Sequence, residues 1–284
     1  MGLYRKILVA FDGSASSVNA LLQAFTLAND EKSWITVATI VPSYEGDLDL
    51  TGVKDIHKTL LRTGEEILSK AKAIAEKERS LIKTVLEEGA PYEKLVDIAE
   101  SENSGIIVIG RRGMSQIART FLGSVASRVI GHSTKDVLVV PEDAAIGWKN
   151  IFLATDGSRY SESATDKAVN FAKSYGGELA VISVVDVPSE FYAEAPAAVE
   201  DLIKKAKEFT AAVKKKAEAS GVEAETFIGE GEAYEVITNT AIKEKADVIF
   251  MGSHGRAGIK KILMGSVTEK VIGYAPCPVL VVKA

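Results

Sequence analysis

Cysteine is nearly absent from this chain: Cys277 is the single one among 284 residues. One thiol builds neither a disulfide framework nor a zinc cluster, so the expected compartment is a reducing one, the cytoplasm. Histidine is almost as scarce, and His57, His132 and His254 share no metal-ligand spacing. No apolar run approaches the length of a membrane-spanning helix. The short run from Ile7 to Phe11 is too brief for a secretory signal peptide. Gly2 invites myristoylation, but Lys6 stands where Ser or Thr is wanted. The net charge is −5 and no long basic stretch occurs, so a nucleic-acid partner gains no support. Also missing are a G-x4-G-K-[ST] phosphate loop and a G-x-S-x-G nucleophile elbow. No catalytic residue is assigned.

What is present is a repeat. Lys6-Ile-Leu-Val-Ala-Phe-Asp12-Gly-Ser14 matches Asn150-Ile-Phe-Leu-Ala-Thr-Asp156-Gly-Ser158. Ile106-Ile-Val-Ile-Gly110-Arg-Arg-Gly113 matches Val248-Ile-Phe-Met-Gly252-Ser-His-Gly255. Gly123-Ser124-Val125 and Val137-Leu-Val-Val140 return as Gly265-Ser266-Val267 and Val279-Leu-Val-Val282. The offset is 144 residues at the first pair and 142 at the others. Such self-similarity marks two copies of one unit. The expected domains are residues 1–142 and 148–284. Their joint lies near Pro141 to Lys149, where the apolar pattern breaks.

Each half alternates strands and helices. In the first half, strands are expected at Lys6–Phe11, Trp34–Val41, Leu81–Leu86, Ile106–Ile109 and Val137–Val140. Helices are expected after Ser14, over Val53–Glu78, over Tyr92–Asn103 and from about Ser124. In the second half, Val199, Leu202, Ala206, Phe209 and Val213 trace an apolar stripe at steps of three and four. The strands near Ile106 and Val248 are apolar on both faces, as a covered parallel sheet requires. The expected fold class is α/β, with two tandem doubly wound parallel-sheet domains of Rossmann-like type.

Ligands of such sheets sit beyond the carboxyl ends of the strands, at a switch point of the strand order. There the chain has Asp12-Gly13-Ser14 and Asp156-Gly157-Ser158. They read either as a turn with a helix cap or as a carboxylate offered to a ribose diol. Beside them stands a loop of the form G-x2-G-x9-G-S, at Gly110, Gly113, Gly123 and Ser124 and at Gly252, Gly255, Gly265 and Ser266. Phosphate needs backbone N–H groups with no Cβ in the way, and a helix N-terminus supplies them with a favourable dipole. Arg111, Arg112 and Arg119 attend the first loop; His254, Arg256, Lys260 and Lys261 attend the second. The alternative is that the glycines permit turns and close packing.

On these residues the chain resembles a tandem member of the universal stress protein family, over essentially the whole of both halves. The resemblance implies an adenine nucleotide alpha hydrolase-like fold and a stress-response regulatory protein. It implies ATP, with Mg2+, as cofactor. Carried over, the phosphate and ribose positions are Asp12, Gly110, Gly113, Gly123, Ser124 and Val125 in half one. In half two they are Asp156, Gly252, Gly255, Gly265, Ser266 and Val267. The end of the second strand contacts adenine through its backbone in that family, so the adenine positions fall at Ile40 or Val41 and at Val184. Gly110-Arg-Arg-Gly113 departs from the ATP-binding form more than Gly252-Ser-His-Gly255 does, and Pro42 is aligned with Val185. The second site is therefore preferred. The resemblance further implies pairing of the last strands as an internal pseudo-dimer. A homodimer of chains and a protein partner are further expectations that neither the residues nor the resemblance derive. Competing functions are a scaffold of the same fold that binds no nucleotide, and a slow ATP hydrolase.

Overall fold

The computed structural model describes residues 2–43, 56–113, 122–255 and 264–284. The chain forms two compact units, one ending at Asp143 and the other running from Ala144 to Ala284. In the first, the order is β1 (Lys6–Ala10), α1 (Ala15–Glu31), β2 (Trp34–Val41), α2 (Ile56–Lys77), β3 (Ile82–Glu88), α3 (Pro91–Ser101), β4 (Ile106–Gly110), α4 (Ser124–His132) and β5 (Asp136–Val140). In the second it is β6 (Asn150–Ala154), α5 (Arg159–Tyr175), β7 (Glu178–Val185), a short α6 (Glu190–Glu194), α7 (Pro196–Ala219), β8 (Ala224–Glu230), α8 (Ala233–Lys243), β9 (Val248–Gly252), α9 (Ser266–Tyr274) and β10 (Val279–Val282).

Within each unit the strands pair in parallel, in the order β3-β2-β1-β4-β5 and β8-β7-β6-β9-β10. The chain steps outward from β6 to β8, then crosses back to place β9 on the other side of β6. Two neighbouring strands thus send their connections opposite ways, and a crevice opens between β6 and β9. β4 and β9 are buried at every residue, as strands covered by helices on both faces must be.

Local chemistry explains how the chain leaves β1 and β6. Ser14 and Ser158 cap α1 and α5, accepting the N–H of Ser17 at 3.2 Å and of Ser161 at 3.3 Å. Gly13 and Gly157 sit at φ 80° and 74°, backbone that side chains rarely tolerate. Gly157 is constrained twice, because a Cβ there would fall 2.4 Å from the Phe209 ring. That ring belongs to the stripe of α7, in which Val199, Ala206 and Val213 are buried and Leu202 and Phe209 half-buried.

Several boundaries differ from expectation. β3 begins at Ile82 rather than Leu81, whose side chain is 84% exposed. The helix expected to reach Asn103 stops at Ser101, and Asn103 turns to φ 53°. The helix expected from Val53 is described from Ile56, residues 53–55 lying outside the described residues. Trp148, read as a linker residue, is buried, with its ring tilted 4.5 Å from that of Phe171 and stacked 5.5 Å from that of Tyr175.

Candidate functional site

A cavity of about 500 Å³ opens at the carboxyl ends of β6, β7 and β9. Its three sides carry three chemistries. On the β9 side, Gly252, His254 and Gly255 lead into Gly265, Ser266, Val267 and Thr268 at the start of α9. No side chain caps α9 at Gly265, and its first backbone bond is from Glu269 N–H to the Gly265 carbonyl at 3.0 Å. The N–H groups of its first turn therefore have no intrahelical acceptor, which is the arrangement that attracts an anion. The return of the loop is pinned by Gly265 N–H donating to the Ser253 carbonyl at 2.9 Å. Thr268 Oγ1 donates to the Gly252 carbonyl at 3.0 Å. The His254 ring lies 5.1 Å from that of Tyr160, which in turn carries the Arg159 guanidinium at 4.9 Å. One cationic side chain of α5 is thereby held on the aromatic pair next to this loop.

In the middle, after β6, Asp156 is half-buried. Its Oδ1 accepts the N–H of Ser158 at 3.0 Å, closing an Asx turn. Its Oδ2 lies 2.9 Å from where a Cβ on Gly255 would stand. The carboxylate and the glycine loop are therefore immediate neighbours. Cap and ligand readings need not compete here: Ser158 caps the helix, while Asp156 Oδ2 faces Gly255 of the loop. On the β7 side the lining turns apolar, with Ile182, Val184, Val185, Leu202, Ala206 and Ile237, followed by Asp186 at the rim.

Of the residues expected in the second half, Asp156, Val184, Gly252, Gly255, Gly265, Ser266 and Val267 all line this one cavity. Sequence reading passed over Asp186, Ala233 and Ile237 there. Arg256, Lys260 and Lys261 lie outside the described residues, as does Arg119 of the first loop.

In the first unit the same relations recur with different side chains. Asp12 Oδ1 accepts the Ser14 N–H at 3.0 Å, and Oδ2 stands 2.7 Å from a Cβ on Gly113. Gly123 N–H donates to the Arg111 carbonyl at 2.9 Å and opens α4 without a side-chain cap, with Ser124 exposed and Val125 half-buried beside it. Arg111 and Arg112 replace Ser253 and His254. Burial, then the like charge of Arg112, lowers the pKa of the Arg111 guanidinium, with Asp143 opposing. Ile40 is half-buried and Val41 buried, and α2 lies so close that a Cβ on Gly64 would come 2.9 Å from Val41 Cγ1 and 2.5 Å from Leu86 Cδ1.

One alignment needs correcting. Val41 pairs with Glu88 and Val185 with Glu230, and each carbonyl accepts from the glycine that follows, Gly89 or Gly231. Val41 and Val185 are therefore equivalent, and Pro42 corresponds to Asp186, not to Val185. The 144-residue offset holds to the end of the second strand, so the register of the sheet decides the match.

Comparison with known proteins agrees with this architecture. The sequence profile of the universal stress protein family matches residues 3–141 and again 147–283. The chain belongs to the universal stress protein family. It carries two such domains in tandem. A universal stress protein of Methanocaldococcus jannaschii is 43% identical over 143 residues, 48% of this chain and 82% of that protein. A second, from Bacillus subtilis, is 33% identical over 150 residues, 48% of this chain and 99% of that protein. The crystal structure of a universal stress protein from Archaeoglobus fulgidus shares the fold, with a TM-score of 0.72 at 23% identity, covering 98% of this chain and 96% of that one.

The remaining singular residues have structural surroundings. His132 ends α4 with its ring 5.0 Å from that of Tyr92, and His57 is exposed beside Glu88 at 2.7 Å. Among the described residues no three His, Cys, Asp or Glu side chains are grouped to hold a metal ion, and no helix is long and apolar enough to cross a membrane. Cys277 is buried, and burial pushes its thiol up to about 12, with the charge of Asp247 adding to the shift. Since the thiolate is the reactive form, the folded protein should resist a water-soluble alkylating reagent at pH 8. The unfolded chain should label at least about 100-fold faster. Mass spectrometry of timed aliquots checks this, and equal rates would contradict the burial.

Proposed function

We propose that this universal stress protein binds an adenine nucleotide, ATP, in its second unit, and acts by letting the bound nucleotide bias its conformation or partner surface. One observation carries the reading: the order of chemistries across the cavity. The anion-attracting loop follows β9, the carboxylate follows β6, and the apolar slot follows β7. Alternate strands of a sheet lie about 10 Å apart. An adenine nucleotide covers that distance between its phosphate chain and the body of its base, with Asp156 facing the ribose diol from between them. In this reading Gly252, Gly255, Gly265, Ser266 and Val267 hold the phosphates, and Val184 meets the base. Mg2+ would ride on the phosphate oxygens, because the described protein residues supply no ligand cluster for it. Binding rather than turnover is the proposed activity. Asp12, Ile40, Val41, Gly110, Gly113, Gly123, Ser124 and Val125 would form a second site in the first unit.

The test is direct. Freshly purified protein is denatured and the released nucleotides are identified and counted by chromatography. The expected result is about one ATP per chain, rising toward two where both sites fill, with added ATP raising the melting temperature through simple binding linkage. No released nucleotide and no stabilisation by added ATP would overturn the proposal and leave a scaffold of the same fold.

A further inference from the structure

We infer that Asp186 selects the base: its carboxylate makes the second-unit cavity accept a purine with an amino group at C6 and reject one with a carbonyl there. The inference rests on the nucleotide reading and extends it to specificity. Asp186 follows β7 directly and lines the apolar end of the cavity, two residues beyond Val184. One of its oxygens, Oδ2, accepts the N–H of Ala233 at 3.1 Å, in the first turn of α8. Ala233 and Ile237 of that helix also line the cavity, so this bond ties the carboxylate to the wall of the base slot. The α8 cap residue, Glu232, makes no side-chain bond to the helix and instead takes up the Lys270 ammonium.

An ionised carboxylate is acceptor-only, with sites on both oxygens. With Oδ2 directed to Ala233, the carboxylate still has acceptor capacity for an exocyclic amino group. Asp186 is exposed, so water satisfies its carboxylate in the empty site; a carbonyl in the same place would set acceptor against acceptor, and that repulsive element is what discriminates.

The first unit shows the converse. Pro42 stands in place of Asp186 and Pro91 in place of Ala233, the first residue of α3. Proline has no N–H to donate. Both ends of the bond have been exchanged together, so the first unit has neither the acceptor nor the donor that would orient it. Base selection by this device is confined to the second unit.

The experiment compares ATP with inosine triphosphate, which differs in carrying a carbonyl at C6, by calorimetric titration of the full chain. Asp12→Ala is present throughout to silence the first unit. The parent should bind ATP about 10- to 100-fold more tightly than the inosine nucleotide. Asp186→Asn can keep the Ala233 bond through its amide oxygen while offering an N–H to the base. It should leave the melting temperature unchanged and cut the ATP preference at least about tenfold. A stable Asp186→Asn protein with the parent's preference would overturn the inference while leaving nucleotide binding intact. Failure of the parent to bind either nucleotide would instead overturn the nucleotide reading, and this inference with it.

Discussion

Gly252→Ala is expected to lower the melting temperature of the chain by about 10 °C, through a loss of about 3 kcal/mol in the second unit. The reason is steric. A Cβ on Gly252 would stand 2.7 Å from Tyr160 Cβ and 2.8 and 2.9 Å from the Tyr160 carbonyl carbon and oxygen. These are main-chain atoms and the root of a side chain in the first turn of α5, so no rotamer change relieves the clash. Either α5 or β9 must move, and both belong to a core in which Phe171 and Phe250 are fully buried at 5.5 Å from one another. Two companion substitutions show that this is not a general intolerance of the loop. A Cβ on Gly265 would meet His254 Cα at 3.4 Å, an ordinary contact, and a Cβ on Gly255 would meet only the end of the Asp156 side chain. Gly265→Ala and Gly255→Ala should each cost less than about 1 kcal/mol in thermal unfolding. Equal destabilisation by all three would refute this division of labour.

The same division explains how much of the site was legible in the sequence. The motif G-x2-G-x9-G-S presents its glycines as one phosphate cradle, yet they answer three demands. Gly110 and Gly252 let helices α1 and α5 approach the ends of β4 and β9, which is the packing explanation for a glycine. Gly113 and Gly255 make room for the carboxylates of Asp12 and Asp156. Gly123 and Gly265 open α4 and α9 without a side-chain cap. Spacing located the loop because the strand, the turn and the helix start are all local features. The fold was legible for a related reason. Apolar runs and helical periodicity are short-range, and the repeat reads the pattern twice. What escaped was the wall formed by distant segments. Ala233 lies 47 residues beyond Asp186 in the chain, and only the fold brings it and Ile237 into the same cavity. The one signal available was the exchange of Asp186 for Pro42. A one-residue slip in aligning the halves hid it, and the register of β2 against β3 and β7 against β8 corrects it.

Asp156→Ala should weaken ATP binding about 100-fold while leaving the second unit folded. In the proposed pose its carboxylate holds the ribose diol, and hydrogen bonds to an ionised acceptor are worth roughly 1.5–3 kcal/mol each. The local cost to the fold is small. Ser158 loses the acceptor of its N–H but keeps its own cap on Ser161, and α5 begins unchanged. Gly255 then has more room rather than less, since Oδ2 is the atom that crowds it. Affinity alone would not separate contact with the ribose from a general disturbance of the loop, so the ligand is varied as well. The parent should lose a similar factor on going from ATP to 2′,3′-dideoxy-ATP, which lacks the diol. Asp156→Ala should bind those two nucleotides equally, because the partner of the hydroxyls is already gone. The double comparison isolates the pair, as a mutant cycle does for two side chains. If Asp156→Ala still discriminated between the two nucleotides as the parent does, the diol would have another partner and the proposed pose would be wrong. Matching losses that do not add would place the ribose between β9 and β7, where the order of the strands sets a carboxylate between an anion site and an apolar slot.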